Sequence, residues 1–409
     1  MVGANNINLI NKILNCERLL IVQDIDGVCI PLVENPLKRE INGDYVKAAS
    51  KLGNSFSVLT CGEHEGRRGV NRIVERSLQS KRIPRENGLY LPGLAACGIE
   101  YQDRFGNIEL LGLDEREELF LKGVPVKMRS LLKEELLTFM PDIEEKEIER
   151  QVEIAICDTR FSPAINLNNL FKFFEQDITK KIRLQEIMQT VMDKIIIISK
   201  NAGLKRSFYL HISPNLGSKN GREIIKFATK QDIGSTDIQL IINGALKEAG
   251  LLVLINKYIF SKTGKSPLGM NFNVREAPKS IEGLIELCKK NIGNDEMPTL
   301  IGVGDTITST KDINTKSWLR GGSDRGFLTL IQRLGEEYQK NNQIIFVDSS
   351  SGEVDRPSVN KSGFEGITDS ADDLKFNLVM SNGPDEYKEW FIKFSQARTG
   401  KHTPKDSLL

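Results

Sequence analysis

The sequence lacks several features that would place it in a specialised class of protein. No apolar stretch is long enough to span a bilayer. The 56 Lys and Arg residues nearly balance the 55 Asp and Glu residues, so no global field favours nucleic acid or an anionic membrane. We therefore expect neither as a partner.

Histidine and closely spaced cysteines are also scarce. The whole chain has three histidines, which argues against a histidine-based metal site. The six cysteines are scattered and none forms a C-x-x-C pair, so their spacing predicts neither a disulfide framework nor a zinc site. We expect Cys29 and Cys61 to be reduced side chains that fill small apolar spaces.

What the chain does contain is typical of an ordinary globular protein. It has 409 residues, of which 39% are apolar and 27% charged, and this length suits two domains. The N-terminal stretch does not have the basic-then-apolar layout of a signal peptide. We expect a cytoplasmic protein.

Short apolar runs alternate with longer helical patterns, which predicts an α/β fold with a mainly parallel sheet. The predicted core strands are Leu19–Gln23, Phe56–Leu59, Ile238–Ile242, Thr299–Val303 and Ile344–Val347. The apolar runs in KIIIISKNAG and SFYLHISP indicate further strands. Charged helical stretches after Asp114 suggest that a second α/β domain interrupts the core. We predict a core domain over residues 1–112 and 237–409, with an inserted domain over residues 113–236.

Two aspartates stand at the end of the first apolar run, in the stretch LLIVQDIDGVCIPL. Ligands of open α/β sheets bind beyond the carboxyl ends of the strands, and Asp24 directly follows a predicted strand. An extended backbone would point Asp24 and Asp26 to the same side, and Gly27 would let the chain turn away. Two buried carboxylates repel each other, and a hard divalent cation such as Mg²⁺ would offset that repulsion.

Three other predicted strands are also followed by polar side chains. SFSVLTCG places Thr60 after an apolar run, and TLIGVGDTITS places Asp305 after Gly304. INGALKEAGLLVLINKY places Lys247 between a predicted strand and an apolar-periodic helix. Taken alone, Thr60 could equally cap a helix and Lys247 could be a solvated helix residue. Together, one sheet would offer two acids, a hydroxyl, a lysine and a third acid at its carboxyl edge.

This order of motifs resembles that of the haloacid dehalogenase superfamily of phosphotransferases. The resemblance implies a Rossmann-like parallel core with an inserted α/β cap. It implies that Asp24 attacks phosphorus to form an aspartyl-phosphate, and that Asp26 acts as general acid and then as general base. It also implies that Thr60 and Lys247 hold phosphate oxygens, while Asp24, the Asp26 carbonyl and Asp305 bind Mg²⁺.

The fourth motif departs from the superfamily pattern, in which a second acid often follows shortly after the first. After Asp305 the nearest acid is Asp312. Asp324 lies further on, in GGSDRGFLTLIQRL, where Ser323 can cap an apolar-periodic helix. We favour Asp324 as the remaining metal ligand, with Thr306–Gly322 as an insertion. The alternative is that Asp324 is simply an acid favoured at a helix start by the helix dipole.

The spacing of the motifs places the inserted domain in the second interval. The interval from Asp26 to Thr60 is short, whereas that from Thr60 to Lys247 is long. This layout resembles the superfamily group with a large α/β cap, whose closure would exclude water from the site. Longer stretches resemble the glucosylglycerol-phosphate phosphatases within that group: IVQDIDGVCIPL, LTCGEHEGRRGV, NGLYLPGLAACG, SPNLGSKNGREII, GALKEAGLLVLINKY, IGVGDTITS and RGGSDRGFLTLIQ.

This narrower resemblance implies a Mg²⁺-dependent phosphatase that hydrolyses 2-O-(α-D-glucosyl)-sn-glycerol 3-phosphate. That reaction is the last step of compatible-solute synthesis in salt acclimation. The partner would be a small sugar phosphate, with a functional link to the synthase that makes it. The alternatives are a phosphatase of trehalose 6-phosphate or sucrose 6-phosphate, a phosphotransferase or mutase on the same core, and a non-catalytic binding protein.

Residues after the second motif are candidates for substrate contacts. Glu63, His64 and Arg68 follow Thr60, and they would rim the site and bond sugar hydroxyls. The alternative for these residues is a solvated helix start. We expect His211 to be a strand residue rather than a ligand.

Overall fold

The computed structural model describes residues 13–14, 16–175, 177–230, 232–312 and 314–401. The strands in these ranges are β1 (Leu19–Gln23), β2 (Phe56–Leu59), β3 (Gly93–Ala95), β4 (Glu100–Gln102), β5 (Ile108–Leu110), β6 (Ile156–Cys157), β7 (Ala164–Asn166), β8 (Phe208–Ser213), β9 (Asn215–Lys219), β10 (Arg222–Ile225), β11 (Asp237–Ile242), β12 (Thr299–Gly304), β13 (Thr308–Lys311), β14 (Trp318–Gly321), β15 (Gln343–Val347) and β16 (Leu378–Met380).

The α-helices in the same ranges are α1 (Gly43–Lys51), α2 (Val70–Ser77), α3 (Arg82–Asn87), α4 (Glu115–Phe139), α5 (Glu145–Ala155), α6 (Asn168–Phe171), α7 (Ile178–Asn201), α8 (Lys247–Thr263), α9 (Ile281–Asn291), α10 (Arg325–Glu337), α11 (Val359–Ser362) and α12 (Pro384–Lys401). Short 3₁₀ turns occur at Pro36–Lys38, Gly53–Ser55, Ala96–Gly98, Lys172–Phe174 and Ser349–Ser351. Of the helices described, none combines the length and apolar character needed to cross a bilayer.

Eight strands form one large sheet in the order β16-β15-β12-β1-β2-β3-β4-β5. Neighbours from β16 to β3 run parallel, while β3, β4 and β5 pair antiparallel at one edge. Both faces of β1 are buried, because Leu20 and Val22 pack into one apolar cluster and Leu19 and Ile21 into another. The sequences of parallel strands that are buried on both faces are nearly continuous apolar runs. The predicted α/β fold class with a parallel core is confirmed.

The strand order brings the predicted motifs to one edge of the large sheet. β1 lies between β2 and β12, and all three run in the same direction. Asp24 follows β1, Thr60 follows β2 and Asp305 follows β12. Parallel strands end at the same edge, so the chain direction alone places these three residues side by side.

A smaller antiparallel sheet has the order β6-β7-β11-β8. Helix α7 packs against α4 and against strands β8 and β11. Ile238 and Leu240 of β11 share the apolar cluster that contains Val124 of α4 and Met188 of α7. The alternate residues of these strands lie on the opposite face and are mostly polar. This sheet therefore has one apolar and one polar face, which is common for antiparallel sheets.

Two strand predictions are wrong. Ile238–Ile242 does form a strand, but β11 pairs with β7 and β8 and does not join the large sheet. Asp237 and Gln239 alternate with its apolar residues, and this pattern is typical of a strand with one polar face. KIIIISKNAG forms the end of α7 instead of a strand, because a short apolar run does not distinguish a strand from a buried helix segment.

The division of the chain into domains stays a prediction. The pairing of β11 within the small sheet favours a second junction after residue 242 instead of after residue 236. The stretch between Asp305 and Asp324 contains an antiparallel hairpin of β13 and β14. This hairpin contacts β9, and the N–H of Gly322 donates to Oδ1 of Asn215 at 3.2 Å.

Close packing of β2 against β3 gives a test of the large sheet. Gly93 has a φ of +139°, and a Cβ atom there would lie 2.1 Å from the carbonyl oxygen of Val58. We expect Gly93→Ala to lower the free energy of unfolding by roughly 3 kcal/mol, since both backbone strain and overpacking contribute. Gly264→Ala is the control, because Gly264 has a φ of +72° with open space around it, and should cost only about 1 kcal/mol. Urea unfolding of both variants measures the difference, and equal losses would contradict this packing.

Candidate active site

Three carboxylates meet at the carboxyl edge of the large sheet. Asp24, Asp305 and Asp324 each offer one oxygen, and these atoms lie within 4.8 Å of one another. Asp324 immediately precedes α10 and occupies its N-cap position. All three residues are buried, with 7%, 6% and 0% of their surface exposed. The structure thus brings together the acids predicted from the first and fourth motifs.

Lys247 joins two of these acids. Its Nζ lies 2.6 Å from Oδ2 of Asp24 and 2.7 Å from Oδ1 of Asp324. Lys247 is the first residue of α8, and Gly244 with a φ of +99° turns the chain from β11 towards that helix. Burial lowers the pKa of Lys247, but the two carboxylates outweigh burial and raise it. The ammonium group therefore stays charged at neutral pH.

One ammonium group does not balance three buried carboxylates. Burial raises the pKa of Asp24 to about 7, although Lys247 acts in the opposite direction. Burial, together with repulsion from Asp324 and Asp24, raises the pKa of Asp305 well above its ordinary value. Carboxylates in this situation bind either a proton or a cation. A donor set made only of carboxylate oxygens fits a hard divalent cation.

Asp324 reaches the acidic cluster even though the hairpin of β13 and β14 separates it from Asp305. Its Oδ2 accepts the N–H groups of Asp305 and Thr306, each at 2.9 Å. Asp312, the alternative from the sequence, is half-buried and accepts backbone N–H groups of its own turn. Of the two acids, the structure places Asp324 beside Asp305.

Asp26 lies beside the cluster and is more accessible than its members. Its side chain is 32% exposed, and its Oδ2 lies 2.7 Å from Nη1 of Arg39. Gly27 has a φ of +80°, and a Cβ atom there would lie 2.1 Å from Oδ2 of Asp305. Glycine is therefore required where the Asp26 turn approaches Asp305. Sequence reasoning missed Arg39, and only the general need of an acid for a cationic partner could have suggested such a residue.

Thr60 lies next to a disulfide. Its Oγ1 accepts the N–H of Gly62 at 3.2 Å, and its side chain lines the same cavity as Asp24. The following residue, Cys61, forms a disulfide with Cys97. The prediction that Cys61 is reduced is therefore wrong. The two cysteines are 36 residues apart, and the pairing of β2 with β3 brings them together, which local spacing could not reveal.

Two of the three predicted rim residues, Glu63 and Arg68, line the cavity and contact the chain segment around β6. Oε2 of Glu63 accepts the N–H of Arg160 at 3.0 Å, and burial raises the pKa of Glu63 to about 8. Arg68 donates to the carbonyl oxygen of Ile156 at 2.9 Å. His64 is buried, its Nε2 lies 3.1 Å from a backbone carbonyl oxygen, and it is not among the described residues that line the cavity.

A cavity of about 200 Å³ lies between the carboxyl edge of the large sheet and the polar face of the small sheet. Asp24 and Lys247 line it on one side, and Asp237 and Gln239 line it on the other. His211 lies in β8, as predicted for a strand residue, and it also lines the cavity. Sequence reasoning missed Asp237 and Gln239, although their alternation with apolar residues in DIQLII could have indicated a polar sheet face.

A sequence profile of the family described as "Glucosylglycerol-phosphate phosphatase (Salt_tol_Pase)" matches residues 18–395. The chain belongs to this family. A curated glucosylglycerol-phosphate phosphatase from Synechocystis sp. (strain ATCC 27184 / PCC 6803 / Kazusa) is 41% identical over 399 residues, which span 93% of each protein. The family predicted from the sequence motifs is confirmed.

Two solved structures were also found to be similar to this member of the glucosylglycerol-phosphate phosphatase family. The C-terminal domain of C. albicans trehalose-6-phosphate phosphatase is 10% identical, with 98% of each chain covered and a TM-score of 0.47. The C-terminal domain of the Candida albicans trehalose synthase regulatory protein is 9% identical, with 83% of this chain and 88% of that chain covered and a TM-score of 0.39.

The buried imidazole of His64 predicts a pH-dependent loss of stability. Burial lowers the pKa of His64 from 6.5 to about 4, so the unfolded chain binds the proton first as the pH falls. The contribution of the neutral His64 imidazole to the free energy of unfolding is present above pH 6.5 and is lost as the pH falls towards 4. We expect the wild type to lose up to roughly 3 kcal/mol relative to His64→Gln over this range.

Urea unfolding of both proteins at several pH values measures this difference. His211→Gln is the control, because Glu223 raises the pKa of His211 even though burial lowers it. The stability of the wild type relative to this control should therefore rise as the pH falls. A pH-independent difference for His64→Gln would contradict the buried, neutral imidazole.

Proposed function

We propose that this protein hydrolyses 2-O-(α-D-glucosyl)-sn-glycerol 3-phosphate to glucosylglycerol and inorganic phosphate, as the last step of compatible-solute synthesis. Family membership and the name of the Synechocystis relative support this substrate. The proposed chemistry is based on the ion pair between Lys247 and Asp24, which both line the cavity. A cytoplasmic location and a functional link to the synthase remain predictions from the sequence.

In the first step, an oxygen of Asp24 forms a bond to phosphorus while the bond from phosphorus to the glycerol oxygen breaks. Lys247 and Thr60 line the same cavity and would hold the phosphate oxygens. Asp26 would give its proton to the departing glycerol oxygen, since Asp26 lies at the cavity beside Asp24. Arg39 contacts Asp26 and would hold its carboxyl group in place.

In the second step, water attacks phosphorus and the bond from phosphorus to the Asp24 oxygen breaks. Asp26 would take the proton of that water, which restores the starting state of the enzyme. Splitting the displacement in two lets the same pair of acids serve both halves of the reaction. The products are inorganic phosphate and the free sugar alcohol.

The acidic cluster would also hold Mg²⁺. Asp24, Asp305 and the carbonyl oxygen of Asp26 would supply its main protein ligands. The sequence also predicted Asp324 as a ligand. When bound, the ion would neutralise charge on the phosphoryl group. Asp324 already accepts hydrogen bonds from Lys247 and from two backbone N–H groups. We therefore infer that Asp324 mainly orients Lys247 and the turn at Asp305.

The first test is phosphate release from a panel of substrates. The panel holds glucosylglycerol phosphate, trehalose 6-phosphate, sucrose 6-phosphate and glycerol 3-phosphate, each with Mg²⁺ and with chelator. We expect Mg²⁺-dependent release that strongly prefers glucosylglycerol phosphate. Preference for another sugar phosphate would keep the proposed chemistry and change the substrate. No release from any member would contradict the proposal.

Three aspartate variants test the assignment of roles. Asp24→Asn should lower kcat by roughly 10³-fold or more, because it removes the nucleophile. Asp324→Asn should lower kcat by about 10–100-fold, because it weakens the support of Lys247 and Asp305. Asp312→Asn is the matched control and should leave kcat unchanged, since Asp312 bonds only its own turn on the hairpin and lies outside the acidic cluster. Normal turnover by Asp24→Asn, with thermal unfolding unaltered, would refute the nucleophile.

A further inference from the structure

The disulfide between Cys61 and Cys97 joins two turns at the carboxyl edge of the large sheet. Cys61 directly follows Thr60 at the end of β2, and Cys97 lies in the 3₁₀ turn Ala96–Gly98 that follows β3. Cys61 lines the cavity, whereas Cys97 is not among the described residues that line it. The exposed fractions are 9% for Cys61 and 2% for Cys97. Cys61 is therefore the more accessible half of the bond.

The turn that contains Cys97 holds the backbone around Thr60. The N–H of Cys97 donates to the carbonyl oxygen of Thr60 at 3.0 Å. The N–H of Ala96 donates to the carbonyl oxygen of Gly62 at 2.7 Å. Ala96 and Cys97 have φ values of +48° and +52°, which residues with a side chain rarely adopt because of steric clashes. Such a backbone persists only while its surroundings enforce it, and the disulfide is a covalent restraint of this kind.

The same turn also contacts α8, the helix that begins with Lys247. A Cβ atom at Gly250 of this helix would lie 3.9 Å from the carbonyl oxygen of Cys97, which is an ordinary van der Waals contact. Thr60 and Lys247 are the two residues proposed to hold phosphate oxygens. The turn that contains Cys97 therefore contacts the elements that carry both of them, and the disulfide joins this turn to Cys61.

The segment that begins at Cys61 also contacts the chain between β6 and β7. Oγ of Ser162 donates to the carbonyl oxygen of Cys61 at 2.9 Å. Oε2 of Glu63 accepts the N–H of Arg160 at 3.0 Å. A change in the backbone at Cys61 would therefore alter the position of Thr60 and, at the same time, the contacts of the large sheet with the segment that leads into the small sheet.

The reductant of this disulfide must come from outside the chain. Among the described residues, Cys157 of β6 is the other cysteine that lines the cavity. Burial raises the pKa of the Cys157 thiol to about 12. Disulfides are attacked by thiolates, so Cys157 leaves the bond intact at neutral pH. The chain is predicted to be cytoplasmic, and disulfides in cytoplasmic proteins are usually catalytic or redox-sensing.

From this geometry we infer that the bond between Cys61 and Cys97 is a redox-active disulfide whose reduction by a dithiol lowers the activity of the site. A thiolate of the dithiol attacks the sulfur of Cys61, which forms a mixed disulfide and releases Cys97. The second thiol of the reductant then displaces Cys61. Two electrons and two protons pass from the dithiol to the cysteines, and the dithiol becomes a disulfide. The inference rests on the proposed function, in which Thr60 holds phosphate.

The first measurement tests whether a dithiol reduces the bond in the folded protein. The protein is treated with dithiothreitol or with a protein dithiol of the C-x-x-C type, then quenched, denatured and alkylated, and the modified cysteines are identified by mass spectrometry. We expect Cys61 and Cys97 to be modified only after treatment. Reduction by dithiothreitol alone would identify a small dithiol as the reductant, and reduction by both would identify a protein. A bond that neither reagent reduces would overturn the inference.

The second measurement is phosphate release from glucosylglycerol phosphate with Mg²⁺ by the oxidised and the reduced protein. We expect reduction to lower kcat/KM roughly 10–100-fold, because a shift of about 1 Å in a positioning group can cost this much. The double variant Cys61→Ser/Cys97→Ser should show the lower activity with and without dithiol. Cys288→Ser is the control and should respond as the wild type does, since Cys288 is a buried thiol in α9 and does not line the cavity. Equal activity of the oxidised and reduced wild type would overturn the inference, as would a further loss in the treated double variant.

A binding measurement separates failure of the redox control from failure of the proposed function. Calorimetric titration with inorganic phosphate in the presence of Mg²⁺ requires no catalysis. We expect the oxidised protein to bind phosphate roughly tenfold more tightly than the reduced protein, because reduction releases the backbone that holds Thr60. If neither form hydrolyses the substrate but this difference is found, the redox control stands and the proposed hydrolysis fails. Equal affinity of the two forms for phosphate would overturn the redox control.

Discussion

The contact of Lys247 with Asp24 and Asp324 is the interaction on which the rest of the site depends. Three carboxylates buried within 4.8 Å of one another would repel strongly without a nearby cation. Lys247 supplies one positive charge and is fixed by its place at the start of α8. Asp305 makes no ion pair with Lys247 among the described contacts, so one ammonium group leaves the negative charge of the cluster only partly balanced.

The two sheets line the cavity with different side chains. The parallel sheet contributes Asp24 and Thr60, whereas the antiparallel sheet contributes Asn166, Asp237 and Gln239. Glu63 and Arg68 connect the two units through backbone groups at Arg160 and Ile156.

The predicted insertion between Asp305 and Asp324 contains an antiparallel hairpin that lies outside the acidic cluster. β13 and β14 pair with each other and contact β9, so the extra residues are folded outside the cluster. Asp324 then returns to Asp305 and accepts its N–H and that of Thr306. The backbone of the fourth motif is thus held by hydrogen bonds to an acid that is distant in sequence.

Local sequence patterns were enough to predict the central strands of the large sheet and the polar residues that follow them. LLIV followed by Asp24 and Asp26 indicates a buried strand with acids at its carboxyl end, because a strand covered on both faces must be apolar throughout. The same reasoning applies to Thr60 and Asp305, which follow β2 and β12. Asp24, Thr60 and Asp305 meet at one edge because they follow neighbouring parallel strands, whereas Lys247 follows β11 of the small sheet.

Only the tertiary structure decided which distant segments meet. The strand pattern of DIQLII did not reveal that β11 pairs with β8 instead of with the large sheet, and therefore hid Asp237 and Gln239 as cavity residues. Cys61 and Cys97 meet because β2 and β3 are neighbours, and Arg39 reaches Asp26 across a turn. The periodicity of apolar residues indicates which face of a strand or helix is buried. Which strand or helix packs against that face depends on segments far apart in the chain.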